Sequence, residues 1–172
     1  LNAHVNYEYQ TAQFKTVNNY SISEFPQNLY LGYLNEFVWN MEEDLLKIAS
    51  TPEPKNVNDK TSELKRLKDG DLEGALYMSQ HRGQDSLRFT SPETTFSLSD
   101  NTMKAHKVEY LEAADARIFP DEGNLTVRKN AGMDTLRKAR LVADRKNKLH
   151  NLFNANIKIK SRYDFGGYAD YH

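Results

Sequence analysis

Between residues 104 and 160 apolar and polar residues alternate, and this period of two constrains the fold more than any other feature of the chain. Ala114, Ala116 and Ile118 fall on one side, with Asp115 and Arg117 on the other. Ala139, Leu141 and Ala143 oppose Lys138, Arg140 and Asp144, and Phe153, Ala155, Ile157 and Ile159 oppose Asn154, Asn156, Lys158 and Lys160. A strand turns successive side chains to opposite faces, so each segment reads as a strand with one buried face. One small-large unit occurs in all three: Ala116-Arg117-Ile118, Ala139-Arg140-Leu141 and Ala155-Asn156-Ile157. Small Ala beside larger Ile or Leu suits stacked inward positions. The units lie 23 and 16 residues apart, so no strict repeat holds them.

From Ala75 onward, strand centres are expected near 77, 88, 97, 108, 117, 126, 141, 157 and 169. Turn residues such as Arg82-Gly83-Gln84-Asp85 and Pro120-Asp121-Glu122-Gly123 separate them. Short strands at this spacing predict a mainly β fold, either β-solenoid-like or a layered sheet or sandwich. Residues 134–153 also admit a helical reading through Leu136, Ala139, Leu149 and Phe153. The strand reading is preferred, because the same triplet recurs in two segments with no helical period.

Upstream the pattern changes. Tyr30, Leu34, Phe37, Val38, Met41, Leu45 and Ile48 recur at spacings of three and four, which predicts one N-terminal amphipathic helix over 26–49. Residues 1–20 read as an edge strand or arm. Thr51-Pro52-Glu53-Pro54 would end the helix, and 51–72 reads as a linker. The expected organisation is therefore 1–60 as arm, helix and linker, and 61–172 as a β-rich domain that continues beyond residue 172. The chain starts at Leu1 and stops within an expected strand, as a processed form or a piece of something longer would.

A mean hydropathy of −0.78 places much of the chain in water. Ten Tyr, eight Phe and one Trp offset this, since each ring buries a large area. There is no Cys, hence no disulfide and no thiolate metal site. No run of 18 apolar residues predicts a spanning helix. The net charge of −1 conceals an asymmetry, because residues 126–172 carry 11 Lys/Arg against 4 Asp/Glu. Such polarity steers partners or draws the two halves together.

The five His (His4, His81, His106, His150 and His172) show no helical metal-pair spacing, so no metal and no cofactor is expected. The segment His81-Arg82-Gly83-Gln84-Asp85-Ser86 is the densest cluster of catalytic residue types. Within so short a turn, hydrogen bonds to its own backbone are the simpler reading than a relay. His81, Arg82 and Asp85 are the ligand-binding candidates should the turn bind anything. The basic stretch 128–148, with Tyr163, Phe165, Tyr168 and Tyr171, has the makings of a track for single-stranded nucleic acid. The slightly acidic whole opposes that. Tyrosines on a β-rich scaffold also suit carbohydrate binding or processing.

The segments Gln84-Asp85-Ser86-Leu87, Glu112-Ala113-Ala114-Asp115-Ala116-Arg117-Ile118-Phe119-Pro120-Asp121 and Asn154-Ala155-Asn156-Ile157 resemble parts of large, uncharacterised, β-rich bacterial cell-envelope and surface proteins. The resemblance covers about half the chain. It carries strand and turn features without catalytic content, so it implies no activity. It implies an exported, extracytoplasmic location, periplasmic or at the cell surface, and membership of a longer polypeptide. The leading expectation is a non-enzymatic structural or interaction segment. Its partner would be another protein or a neighbouring segment, engaged through an edge strand carrying Tyr168 and Tyr171. Nucleic acid is the less favoured partner.

Overall fold

The chain lays antiparallel hairpins alternately into different sheets. The computed structural model describes residues 2–17, 20–49, 59–143, 147 and 150–171. In order these form β1 (Asn2–Asn6), β2 (Thr11–Lys15), β3 (Ser21–Phe25), β4 (Tyr30–Leu34), β5 (Glu36–Asn40), β6 (Leu45–Ala49) and α1 (Asp59–Leu67). There follow β7 (Ala75–Ser79), β8 (Arg88–Ser91), β9 (Glu93–Ser97), β10 (Thr102–His106), β11 (Leu111–Ala113) and β12 (Ala116–Phe119). The last are β13 (Leu125–Val127), β14 (Leu136–Ala143), β15 (His150–Ile159) and β16 (Phe165–Tyr171). The first sheet runs β1-β2-β5-β6-β9-β10-β13, the second β3-β4-β7-β8 and the third β11-β12-β14-β15-β16. One buried cluster joins all three: Ile48, Phe96 and Met103 from the first, Phe25, Tyr30 and Tyr77 from the second, and Leu111, Ile118 and Ile157 from the third. The first sheet therefore faces the other two across a shared core, and β8 lies beside β11 where those two meet.

The alternation read from the sequence sets the third sheet. Ala116, Ile118, Ala139, Leu141, Ala155 and Ile157 all point inward and are buried. They occupy three neighbouring strands, with Ile118 opposite Leu141 and Ala139 opposite Ala155. Lys138 and Asn154 adopt left-handed backbone at φ 53° and 49°. These residues mark irregularities where the registers of β14–β15 and β15–β16 shift, as bulges do. Residues 134–143 are thus strand and turn rather than helix.

Matching turns join the hairpins of the first sheet. The Asn6 side chain accepts hydrogen bonds from the backbone N–H of Glu8 and Tyr9, at 3.0 and 3.2 Å. Asn40 does the same for Glu42 and Glu43, both at 3.1 Å. Each turn ends on a left-handed residue, Gln10 or Asp44. Adjacent turns are then tied together, Met41 N to Gln10 O and Leu98 N to Asp44 O, both 2.9 Å. The side-chain oxygen supplies the turn with the acceptor its backbone lacks, so each hairpin closes locally and then docks on its neighbour.

The helix expected over 26–49 does not form. Those residues make β4, β5, β6 and the two turns around them. Each strand carries apolar residues at both parities, such as Phe37, Val38 and Trp39 in β5 and Leu45, Leu46 and Ile48 in β6, and such runs interrupted by short turns imitate a helical spacing. β4 is largely buried on both faces, so both of its parities are apolar. The helix among the described residues is α1, inside the stretch expected to be a linker. Leu64 of α1 packs with Tyr33 and Leu76 on the outer face of the second sheet. The boundary expected at 60/61 crosses two sheets, since β4 pairs β7 and β6 pairs β9. Residues 51–54 lie outside the described residues.

The core contains three side-chain oxygens with no hydrogen-bond partner among the described residues, Asn28 Oδ1, Tyr77 Oη and Thr94 Oγ1. Burial raises the Tyr77 and Tyr30 phenols well above their ordinary range. A phenol whose folded-state pKa is raised adds stability that is intact below pH 10 and is lost as pH climbs beyond it. Tyr77→Phe is therefore expected to hold stability or raise it by up to about 1 kcal/mol, because it removes an unsatisfied hydroxyl. It should also flatten the alkaline limb of a urea-denaturation series taken between neutral pH and pH 11. A loss of stability at neutral pH would contradict this.

Candidate functional site

The shared core is closed in the middle and open at both ends. On the inner face of the first sheet one row of partners runs Val127, Met103, Phe96, Leu46, Trp39, Ala12, Val5. Met103 is 0% and Ala12 still 1% exposed, and only at the last position, Val5, does exposure reach 40%. The third sheet has a matching row, Leu111, Ile118, Leu141, Leu152, Tyr171. Exposure there rises from 0% at Ile118 to 66% at Tyr171.

β16 is the free edge of the third sheet, and both expected edge residues lie on it. They are three apart, so they point to opposite faces. Tyr168 stands on the outer face opposite Asn156, and Tyr171 on the inner face opposite Leu152, 6.1 Å from the His150 ring. The inner positions of β16 are Phe165, Gly167, Ala169 and Tyr171, and all but Phe165 are exposed. Free edges are commonly blunted by Lys or Pro. β16 carries neither, and its one charge, Asp170, accepts a hydrogen bond from Asn154 Nδ2 at 3.0 Å. Gly167 is required where it stands, because a Cβ there would overlap the Asn156 carbonyl of β15. Gly166 has open space around it.

His81, Arg82 and Asp85 are exposed and form a turn. His81 Nδ1 accepts from Gly83 N at 3.1 Å, capping a single 3-10 turn at Arg82–Gln84, and Asp85 closes it in left-handed backbone. The three are brought together on the surface, and His81 is bound to the turn's own backbone. The residue that counts is the buried Gln84 between them. Its Nε2 donates to Ala131 O at 2.8 Å, and its backbone carbonyl accepts from Arg162 N at 3.0 Å. The turn thereby holds the β15–β16 connection.

Arg162 leads to a second node. Its guanidinium donates to both Asp69 oxygens, at 2.9 and 3.2 Å, and Arg88 Nε donates to the same carboxylate at 3.0 Å. The Asp69 side chain is 8% exposed and both arginines 19%. Tyr110 Oη donates to the Asp69 backbone carbonyl at 2.8 Å. The hydrogen bond to Asp69 raises the Arg162 pKa further above its already basic value. One carboxylate thus fixes the segment after α1, the start of β8 and the β15–β16 turn. No local sequence signal marks Asp69, since its partners lie 19 and 93 residues away.

The basic stretch 128–148 is only partly within the described residues. Arg128 is paired with Asp134 at 2.7 Å, and the Arg140 guanidinium lies 3.7 Å from the Phe119 ring centre. Arg117 likewise covers the Tyr110 ring at 4.6 Å. Both rings stack on the chain's own cations, whereas Tyr163, Tyr168 and Tyr171 of the expected track are exposed. Hydrogen bonding by Arg128 holds Asp134 below the ordinary carboxylate range. The stability this pair adds is present above the unfolded pKa near 3.9 and is lost as pH falls below it. Asp134→Asn should accordingly make the acid limb of stability shallower below pH 4, as followed by urea denaturation. An unchanged acid limb would show the pair to be fully screened.

Among the described residues no group of three or more His, Asp or Glu is placed to hold a metal ion, and no helix is long and apolar enough to cross a membrane. No family model, curated protein or solved structure matches the chain.

Proposed function

We propose that this chain is a non-enzymatic interaction segment that docks a protein strand along β16. The strand comes from a partner protein or from a neighbouring segment of the same polypeptide. The observation that carries this reading is an apolar, unblunted edge strand held firmly from behind. β16 is exposed along its inner face, yet Gln84 and the Asp69 node fix the turn that starts it. Added strands supply main-chain hydrogen bonds along such an edge and side-chain contacts on its face.

Hairpins laid one after another extend the antiparallel sheets in one direction, a geometry suited to extension by further strands. The exposed tyrosines favour docking over sugar binding. Tyr7 and Tyr9 sit beside β1, while Tyr163, Tyr168 and Tyr171 sit at the β15–β16 end, rather than in one row along a face. An extracytoplasmic setting accords with the envelope-protein resemblance of residues 81–171.

Amide hydrogen exchange of the purified chain tests the reading. β16 amides on the free side should exchange quickly in dilute solution and gain protection as concentration rises. Tyr168→Lys should abolish that gain. An undiminished gain in the variant would reject docking along β16, and equal exchange at every concentration would reject a second copy of this chain as the docked strand.

A further inference from the structure

We propose that the strand docked on β16 belongs to the opposite end of a second copy of this chain, so that copies join head to tail. This deepens the docking role above and rests on it.

The two ends are uncovered in complementary ways. At the head, the first sheet is the exposed layer: every residue of β1 from Asn2 to Val5 is exposed, including Ala3 and Val5 on its inner face. At the tail, the third sheet is the exposed layer, with Ala169 and Tyr171 uncovered on the inner face of β16. One end thus lacks a cover from the second layer, and the other lacks a cover from the first. Set end to end, the β1–β2 hairpin of one copy lies over the inner face of β15–β16 of the next. The core then closes there as it closes in the middle of each chain. In the other layer β16 meets β3, the free edge of the second sheet, where Ile22 is 56% exposed.

Charge favours this pairing over tail on tail. Among the described residues, 2–49 carry six carboxylates against two lysines, whereas 126–171 carry eight Lys/Arg against three Asp. Opposite potentials steer the head of one copy to the tail of another, and like ends repel. The contact is heterologous, so it propagates as an open chain of copies rather than closing as a two-fold dimer.

Two charge-blocked variants test the proposal by sedimentation velocity. The head variant is Ala3→Lys/Val5→Lys, and the tail variant is Ala169→Lys/Tyr171→Lys. All four positions are exposed in the single chain, so both variants should keep the wild-type circular dichroism and urea midpoint. Wild type should form species that lengthen with concentration and shorten with added salt. Each variant alone should be monomeric, and their mixture should stop at a dimer, joining the intact tail of one to the intact head of the other. If the head variant alone still dimerises, β16 pairs with itself, and the head-to-tail proposal fails while the docking role stands. If the tail variant associates as wild type does, both readings fall; if wild type stays monomeric at every concentration, the head-to-tail proposal falls alone. A mixture that stays monomeric while wild type associates also overturns the head-to-tail contact.

Discussion

Replacing Asp69 by alanine should cost about 3–5 kcal/mol of unfolding free energy, because it removes the common partner of two largely buried arginines. Arg88 and Arg162 both donate to this carboxylate and are 19% exposed, too little for water to replace the lost acceptor. The damage should also be directional. Arg162 begins the turn into β16, so amide exchange should accelerate at 161–171 before it does in the β9–β10 hairpin. Asp69→Asn keeps an acceptor oxygen for the arginines and should lose less. Urea denaturation and residue-resolved exchange provide both readings. A loss below about 1 kcal/mol in the alanine variant would mean that water or another acceptor compensates the arginines.

The second large effect is expected from a single methyl group at Gly167. Its Cβ would collide with the Asn156 carbonyl, a backbone atom that cannot swing aside. Gly167→Ala should therefore destabilise the chain by about 1–3 kcal/mol, or detach β16 from β15 without global unfolding. The neighbouring Gly166→Ala meets open space and should be neutral to slightly stabilising, since it reduces the freedom of the unfolded chain. The pair separates crowding from mere loss of glycine. Similar behaviour of the two variants would show that β16 does not approach β15 as closely as the structure has it. Detachment of β16 should abolish association as well, which links the stability measurement to the docking role.

Much of the third sheet was legible in the sequence, and little of the region before residue 60. In the third sheet one face is buried and the other wet, so the residues advertise the alternation: Ala139, Leu141 and Ala155 against Arg140 and Lys158. In β4 both faces are covered, by the core on one side and by the packing of Tyr33 against Leu64 on the other, so the period vanishes. A signal was nevertheless present. Asn6 and Asn40 stand 34 residues apart and cap equivalent turns, and each turn joins two strands of five residues. Among the candidate site residues, Tyr168 and Tyr171 were expected on a final strand, and that strand is the free edge of the third sheet. Asp69 and Gln84 were not foreseen, since their roles arise only from residues distant in the chain. His81, Arg82 and Asp85 show the converse, a cluster of reactive side-chain types engaged in closing a turn.

The order of strands in the first sheet has a consequence for how the molecule is made. Each of its hairpins pairs with the one completed just before it, β5 with β2 and β9 with β6. A nascent chain leaving the ribosome therefore meets its template already in place at every step, and loop closure stays short except across 50–92. Assembly proceeds in the direction of synthesis, and β16 is added to a finished surface.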